Sequence, residues 1–249
     1  MGTSNNSIRH CKFDQQSPEN KEILKQVQND GNICRSVLMI KIAKLVSIIF
    51  HPVFITLYCA VIFIINPKNS AFYSSLEKVI FFGIIILFTL IIPCLIMLYK
   101  YKQGKISDIT LTNRSERTPI YLLSIASSLI CAYFLLILVN AYIFVLFMIF
   151  ALFSVATITF INLKWKISIH SCGMGILTGF TLFFAVYFYQ NPVYWFCSVV
   201  FLSGLVMTCR CILGVHSVWQ VTAGYFVGLI FTAAPIIILL LNEILKENY

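Results

Sequence analysis

Thr118–Leu163 reads TPIYLLSIASSLICAYFLLILVNAYIFVLFMIFALFSVATITFINL, and no side chain in it is charged. A bilayer span needs roughly 20 apolar residues, because about 30 Å of hydrocarbon is crossed at 1.5 Å per residue. The stretch is more than twice that long, so it predicts two helices with a turn at the polar Asn140. Four further charge-free intervals flank it: Leu45–Pro67, Val79–Tyr99, Ile167–Cys209 and Val221–Leu241. Ile167–Cys209 is again long enough for two spans, broken at Gln190-Asn191-Pro192. Lipid cannot satisfy free backbone groups, so each span is expected to be helical. The continuous apolar runs lack the alternation of a membrane β-barrel. The fold expected is an all-α, polytopic transmembrane helical bundle of about seven spans.

Composition points the same way. Of 249 residues, 59% are hydrophobic and 11% charged, where soluble domains carry about 25% charged residues. Between Lys78 and Glu243 the only acidic residues are Asp108 and Glu116, which excludes two-metal and paired-carboxylate chemistry. The nine cysteines have no ligand spacing and mostly lie in apolar runs, as small hydrophobes. Neither a metal nor a cofactor is expected. The net charge of +9 is confined to loops, which reads as a membrane protein with basic loops rather than a nucleic-acid binder.

Residues 1–38 are polar and form a first region, expected to be a disordered or weakly helical tail. Residues 39–249 form the transmembrane domain, and Met39, directly before the first span, is a second candidate start.

Polar groups concentrate in three places: Lys100–Pro119, Lys164–Ser171 and Cys209–Gly224. They follow the second, fourth and sixth spans, so an even number of crossings separates each pair and all three face one side. Arg114, Arg117, Lys166 and Arg210 offer cations there, and arginine is a rigid fork for phosphate oxygens. His170 and His216 titrate near neutrality and can act as nucleophile, acid or base. Cations, two imidazoles and few carboxylates suit phosphoryl transfer through a phosphohistidine.

The third cluster reads Cys209-Arg210-Cys-Ile-Leu-Gly-Val-His216-Ser-Val-Trp-Gln220. Its spacing resembles the Ser-Arg, five residues, His, three residues, Asp motif of the type-2 phosphatidic acid phosphatase superfamily of integral-membrane phosphatases. Ile167-Ser168-Ile169-His170 keeps the Ser and His of that family's Pro-Ser-Gly-His motif. Arg117 stands near Pro119 where the first motif has Arg-Pro, and Thr110 takes the place of the motif Lys. The resemblance covers roughly 100–228. It implies a helical core like that of the membrane phosphatases and haloperoxidases, with His216 as nucleophile and His170 as general acid. Arg117, Ser168 and Arg210 would be phosphate ligands; apart from the resemblance, Lys166 or Lys105 could stand in for the missing motif Lys and Arg114 could add a second cation. Gln220 departs from the family, whose Asp there supports the nucleophilic His. At four residues from His216, Gln220 shares its helix face and its carbonyl can fix the ring, while Glu116 or Asp108 could supply the missing charge.

The resemblance implies a metal-independent phosphatase for a lipid phosphate or pyrophosphate, with the head among the three clusters and the chain left in the bilayer. A lipid phosphotransferase on the same scaffold, or a non-catalytic lipid-phosphate binder or transporter, are the alternatives. Simpler roles compete at single positions. Arg114 and Arg117 could be topology-setting charges, His170 an interfacial structural residue, and His170 with His216 could ligate haem. His51, beside Pro52, reads as structural, and Gly173, Gly175, Gly179, Gly224 and Gly228 as helix-packing residues. The resemblance implies a bacterial plasma membrane and an outward-facing site. The basic residues argue for the cytoplasmic face, since of the 18 only Lys68, Lys78 and Lys246 fall on the other side.

Overall fold

In the computed structural model the described residues are 37–106, 114–188 and 193–247. The expected tail up to residue 36, Asp108 and the break at 190–192 lie outside them. The chain is an all-α, multi-spanning membrane protein. Its helices are α1 (Val37–Ile49), α2 (Pro52–Ile65), α3 (Pro67–Phe72), α4 (Ser75–Ile85), α5 (Ile92–Lys102), α6 (Arg114–Val139), α7 (Tyr142–Asn162), α8 (Ile169–Phe188), α9 (Val193–Ile212) and α10 (Val218–Glu247). A π-helical segment, Ile86–Ile91, joins α4 to α5, so Ser75–Lys102 is one span. The turn expected at Asn140 is there: this residue has φ 55° and separates α6 from α7.

Among the described residues five helices are long and apolar enough to cross a membrane, or six if α1 and α2 count as one bent span. Of the expected spans, the first is bent. The axis turns by 58° at Phe50-His51, where Pro52 interrupts the helical bonding. The His51 side chain caps the restart, its Nδ1 accepting the Val53 N–H at 3.4 Å. α8 itself is 20 residues long, about 30 Å along its axis. From Ser171 to Ala185 nearly every residue of α8 is buried, so other helices rather than lipid surround it.

α8 packs most closely on α10. A Cβ on Gly175 would run into the Tyr225 carbonyl, and one on Gly228 into the Cys172 carbonyl. The helix-packing role expected of these glycines follows, because only hydrogen leaves room for the two backbones. The same approach sets the two N-termini side by side: the Ser168 N–H donates to the Gln220 carbonyl at 3.3 Å. Deeper in the bundle, Phe63, Phe81, Phe144 and Phe180 form an aromatic core, with Phe81 and Phe144 centroids 5.0 Å apart. In the π segment the widened turn frees backbone acceptors, and the Ser127 hydroxyl of α6 donates to the Phe88 carbonyl.

Candidate functional site

At one end of the bundle, five helix ends and one loop converge. α6 supplies Arg117 and, one turn on, Tyr121, and the Arg117 guanidinium donates to the Tyr121 hydroxyl. Arg117 is only 5% exposed. Arg210 stands in the last turn of α9, where the helix dipole favours a cation. Its Nε is buried without a hydrogen-bond partner among the described residues, a donor directed at no protein acceptor. Gly214, at φ 65°, lets the chain leave α9 through the left-handed region and turn back toward the bundle. Two residues later His216 is 7% exposed.

His216 is held from behind. The Gln220 Oε1 accepts the Ser217 backbone N–H at 3.1 Å and lies 3.2 Å from His216 Nδ1. A backbone N–H can only donate, so the shared atom is the amide oxygen and His216 Nδ1 must carry the hydrogen. In the neutral ring Nε2 then keeps its lone pair. The first contact is half of a capping box, with Gln220 at the third position of α10 reaching back to the Ser217 N–H. Burial, then Arg210 and Arg117, push the His216 imidazole down to about 4, against the opposing pull of Gln220. Partial burial and the same two guanidiniums also lower the Lys166 ammonium, which lies in the loop before α8.

His170 is the second residue of α8. One of its ring N–H groups donates to the Ser47 carbonyl, and its ring meets that of His51 edge-to-face at 5.1 Å. His51, Arg117, Tyr121, His170, Arg210 and His216 all line a single cavity of about 390 Å³, whose remaining walls are largely apolar.

The sequence-derived residues therefore divide. Arg117, His170, Arg210 and His216 share the cavity, Gln220 backs His216, and Lys166 lies close enough to respond to both arginines. Ser168 is fully buried and is not a wall residue. Its Oγ caps α8, accepting the Ser171 N–H at 3.3 Å and the Ser171 hydroxyl at 3.0 Å. Glu116 lies in the first turn of α6, outside the cavity wall, and Arg114 opens that helix. Asp108 lies outside the described residues. Tyr121 and His51 stand beside these groups in the wall and were not anticipated there. Tyr121 was legible as the residue four beyond Arg117 on one helix face. His51 combines the structural role expected of it with a place beside His170, and only tertiary packing could reveal the second.

Among the described residues no group of three or more His, Cys, Asp or Glu side chains is placed to hold a metal ion. The arrangement can receive an anion from the guanidinium side and present to it an imidazole with a free Nε2. No protein-family model, curated protein or solved structure matches the chain. The phosphatase resemblance rests on the motif residues alone.

Proposed function

We propose that the chain is an integral-membrane phosphatase that hydrolyses a lipid phosphate or pyrophosphate through a phosphohistidine on His216. The observation that carries this reading is the single cavity shared by His170, His216, Arg117 and Arg210, with otherwise oily walls.

The phosphate enters beside Arg117 and Arg210, whose N–H groups bind its oxygens, the buried Arg210 Nε included. Its negative charge offsets the guanidiniums and raises the basicity of both rings, so that His170 takes up a proton. The Nε2 lone pair of His216 attacks phosphorus, the bond to the lipid oxygen breaks, and His170 gives its proton to that oxygen. The arginines stabilise the charge gathered on the equatorial oxygens. His170 then accepts a proton from water as that water attacks the phosphohistidine. Inorganic phosphate leaves and His216 is restored.

A second reading draws on Gln220. The imidazolium formed by phosphorylation would be supported by an amide dipole and by no charge, and a non-catalytic lipid-phosphate binder needs no such support. Purified full-length protein in nanodiscs, given phosphatidic acid and an isoprenyl pyrophosphate, separates the two. Phosphate release that persists in chelator and is lost in His216→Ala supports the phosphatase. Binding without release supports the binder.

A further inference from the structure

The cavity is far longer than a phosphate requires. On α6 its wall runs from Arg117 through Tyr121 and Ser124 to Ser128, eleven residue steps or about 16 Å along the helix axis. α7, running back the other way, contributes a matching stripe from Val155 to Phe144. The depth is roughly that of one leaflet, half of a hydrocarbon core about 30 Å thick. The far end closes on the aromatic core, where Phe147 meets Phe180 with centroids 4.4 Å apart and Phe144 meets Phe63 at 5.3 Å.

Two of the hydroxyls along this wall are turned back onto their own helices. Ser124 Oγ donates to the Ile120 carbonyl at 3.0 Å and Thr89 Oγ1 to the Ile85 carbonyl at 2.8 Å, each within its own helix. A ligand lying between them meets methylene and methyl groups. The cavity is thus amphipathic along its length, cationic with imidazoles at the helix ends and oily for the rest.

We propose that this slot takes the hydrocarbon chain of a single-chain lipid phosphate, an alkyl or isoprenyl phosphate, with its head at Arg117 and Arg210. This replaces the expectation that the chain stays in the bilayer. It rests on the phosphate-binding part of the proposed function and not on turnover. One slot of this depth houses one chain, so a two-chain phosphatidate must leave at least one chain outside. Ser128, near the closed end, acts as a length stop.

The test uses full-length protein in nanodiscs and non-hydrolysable dodecylphosphonate and butylphosphonate. Ser128→Phe is expected to weaken dodecylphosphonate binding at least about tenfold through lost chain burial, and to leave butylphosphonate unchanged. The lipid-facing control Leu129→Phe, at a side chain 48% exposed, is expected to change neither. A second measurement needs no variant. Dodecylphosphonate with a diazirine at its terminal carbon is expected to label Ser128, Phe144 or Phe147. Equal effects of Ser128→Phe and Leu129→Phe, or label confined to lipid-facing residues such as Leu129 and Phe153, would overturn the slot. Loss of phosphate release in His216→Ala would still stand in that case. Conversely, chain-length-dependent binding without any phosphate release would retain the slot and remove the phosphatase.

Discussion

One amide oxygen fixes the state of the candidate nucleophile: Gln220 Oε1 lies 3.2 Å from His216 Nδ1 while accepting the Ser217 N–H at 3.1 Å. The second bond identifies the first acceptor, so the tautomer of His216 follows from the backbone. Gln220 thus does half of what a carboxylate would do, orienting the ring without adding charge.

Replacing Gln220 by Asp should therefore raise phosphate release. In a serine-protease triad the loss of the corresponding charge costs about 10⁴ in turnover, which bounds the gain from above. Gln220→Ala should lower release and cost about 1 kcal/mol of stability, because the Ser217 N–H loses its cap. Rates and thermal unfolding of the same preparations check both halves.

The acidity of His216 sets a pH profile. Its pKa is held at about 4 by burial and then by Arg210 and Arg117, so Nε2 stays available through the mildly acidic range. In kcat/KM, which reports the free enzyme, the limb that depends on this ring should fall only as pH approaches 4. Arg210→Gln removes a repelling charge, raises the His216 pKa and should move the acid limb to higher pH, apart from its effect on binding. Stability has a matching sign. The ordinary value for an unfolded His is about 6.5, above the folded one, so the unfolded chain binds the extra proton. This contribution is complete above that value and is lost as pH falls from there toward 4. Activity and melting temperature against pH, in wild type and Arg210→Gln, are the measurements.

His51 serves two functions that one pair of variants separates. Asn is a good N-cap, so His51→Asn should keep the start of α2 and remove the ring beside His170. A fall in kcat with an unchanged melting temperature is expected. His51→Ala should lower both, the stability by about 1 kcal/mol. If His51→Asn leaves kcat and its pH dependence untouched, the residue is a cap and nothing more.

The α8–α10 contact aligns His170 with His216. Gly228→Ala sets a methyl against the Cys172 carbonyl, where backbone rather than a flexible side chain would have to move. A loss of about 1–3 kcal/mol is expected from such overpacking. Gly204, where an added Cβ would meet nothing within 4 Å, is the control position for thermal unfolding in detergent.

Much of this architecture was legible as gaps between charges, because lipid leaves an apolar segment few choices. Thr118–Leu163 gave two helices and the turn at Asn140 in their observed places. The 58° turn at Phe50-His51 was marked by Pro52 alone, and a proline announces a break without its angle. The burial of α8 by its neighbours was hidden because such a helix has the same apolar composition as one facing lipid. Ile86–Ile91 is as apolar as its flanks, so nothing in it signalled a π turn. Arg117, His170, Arg210 and His216, which line one cavity, had been singled out by chemistry and spacing. Ser168 was assigned to phosphate on motif position, whereas the cap it forms with Ser171 required the local backbone geometry. The oily slot could not be read at all, since it belongs to stripes on several helices that only packing brings face to face.

The most direct test of His216 as nucleophile is acid-quenched trapping with ³²P-labelled lipid phosphate, followed by peptide mapping. Acid-labile, base-stable label on the peptide containing His216, absent in His216→Ala and accumulating when His170 is replaced by Ala with an activated leaving group, is the expected result. Phosphate release that proceeds with no labelled His216, or that survives His216→Ala, would contradict it.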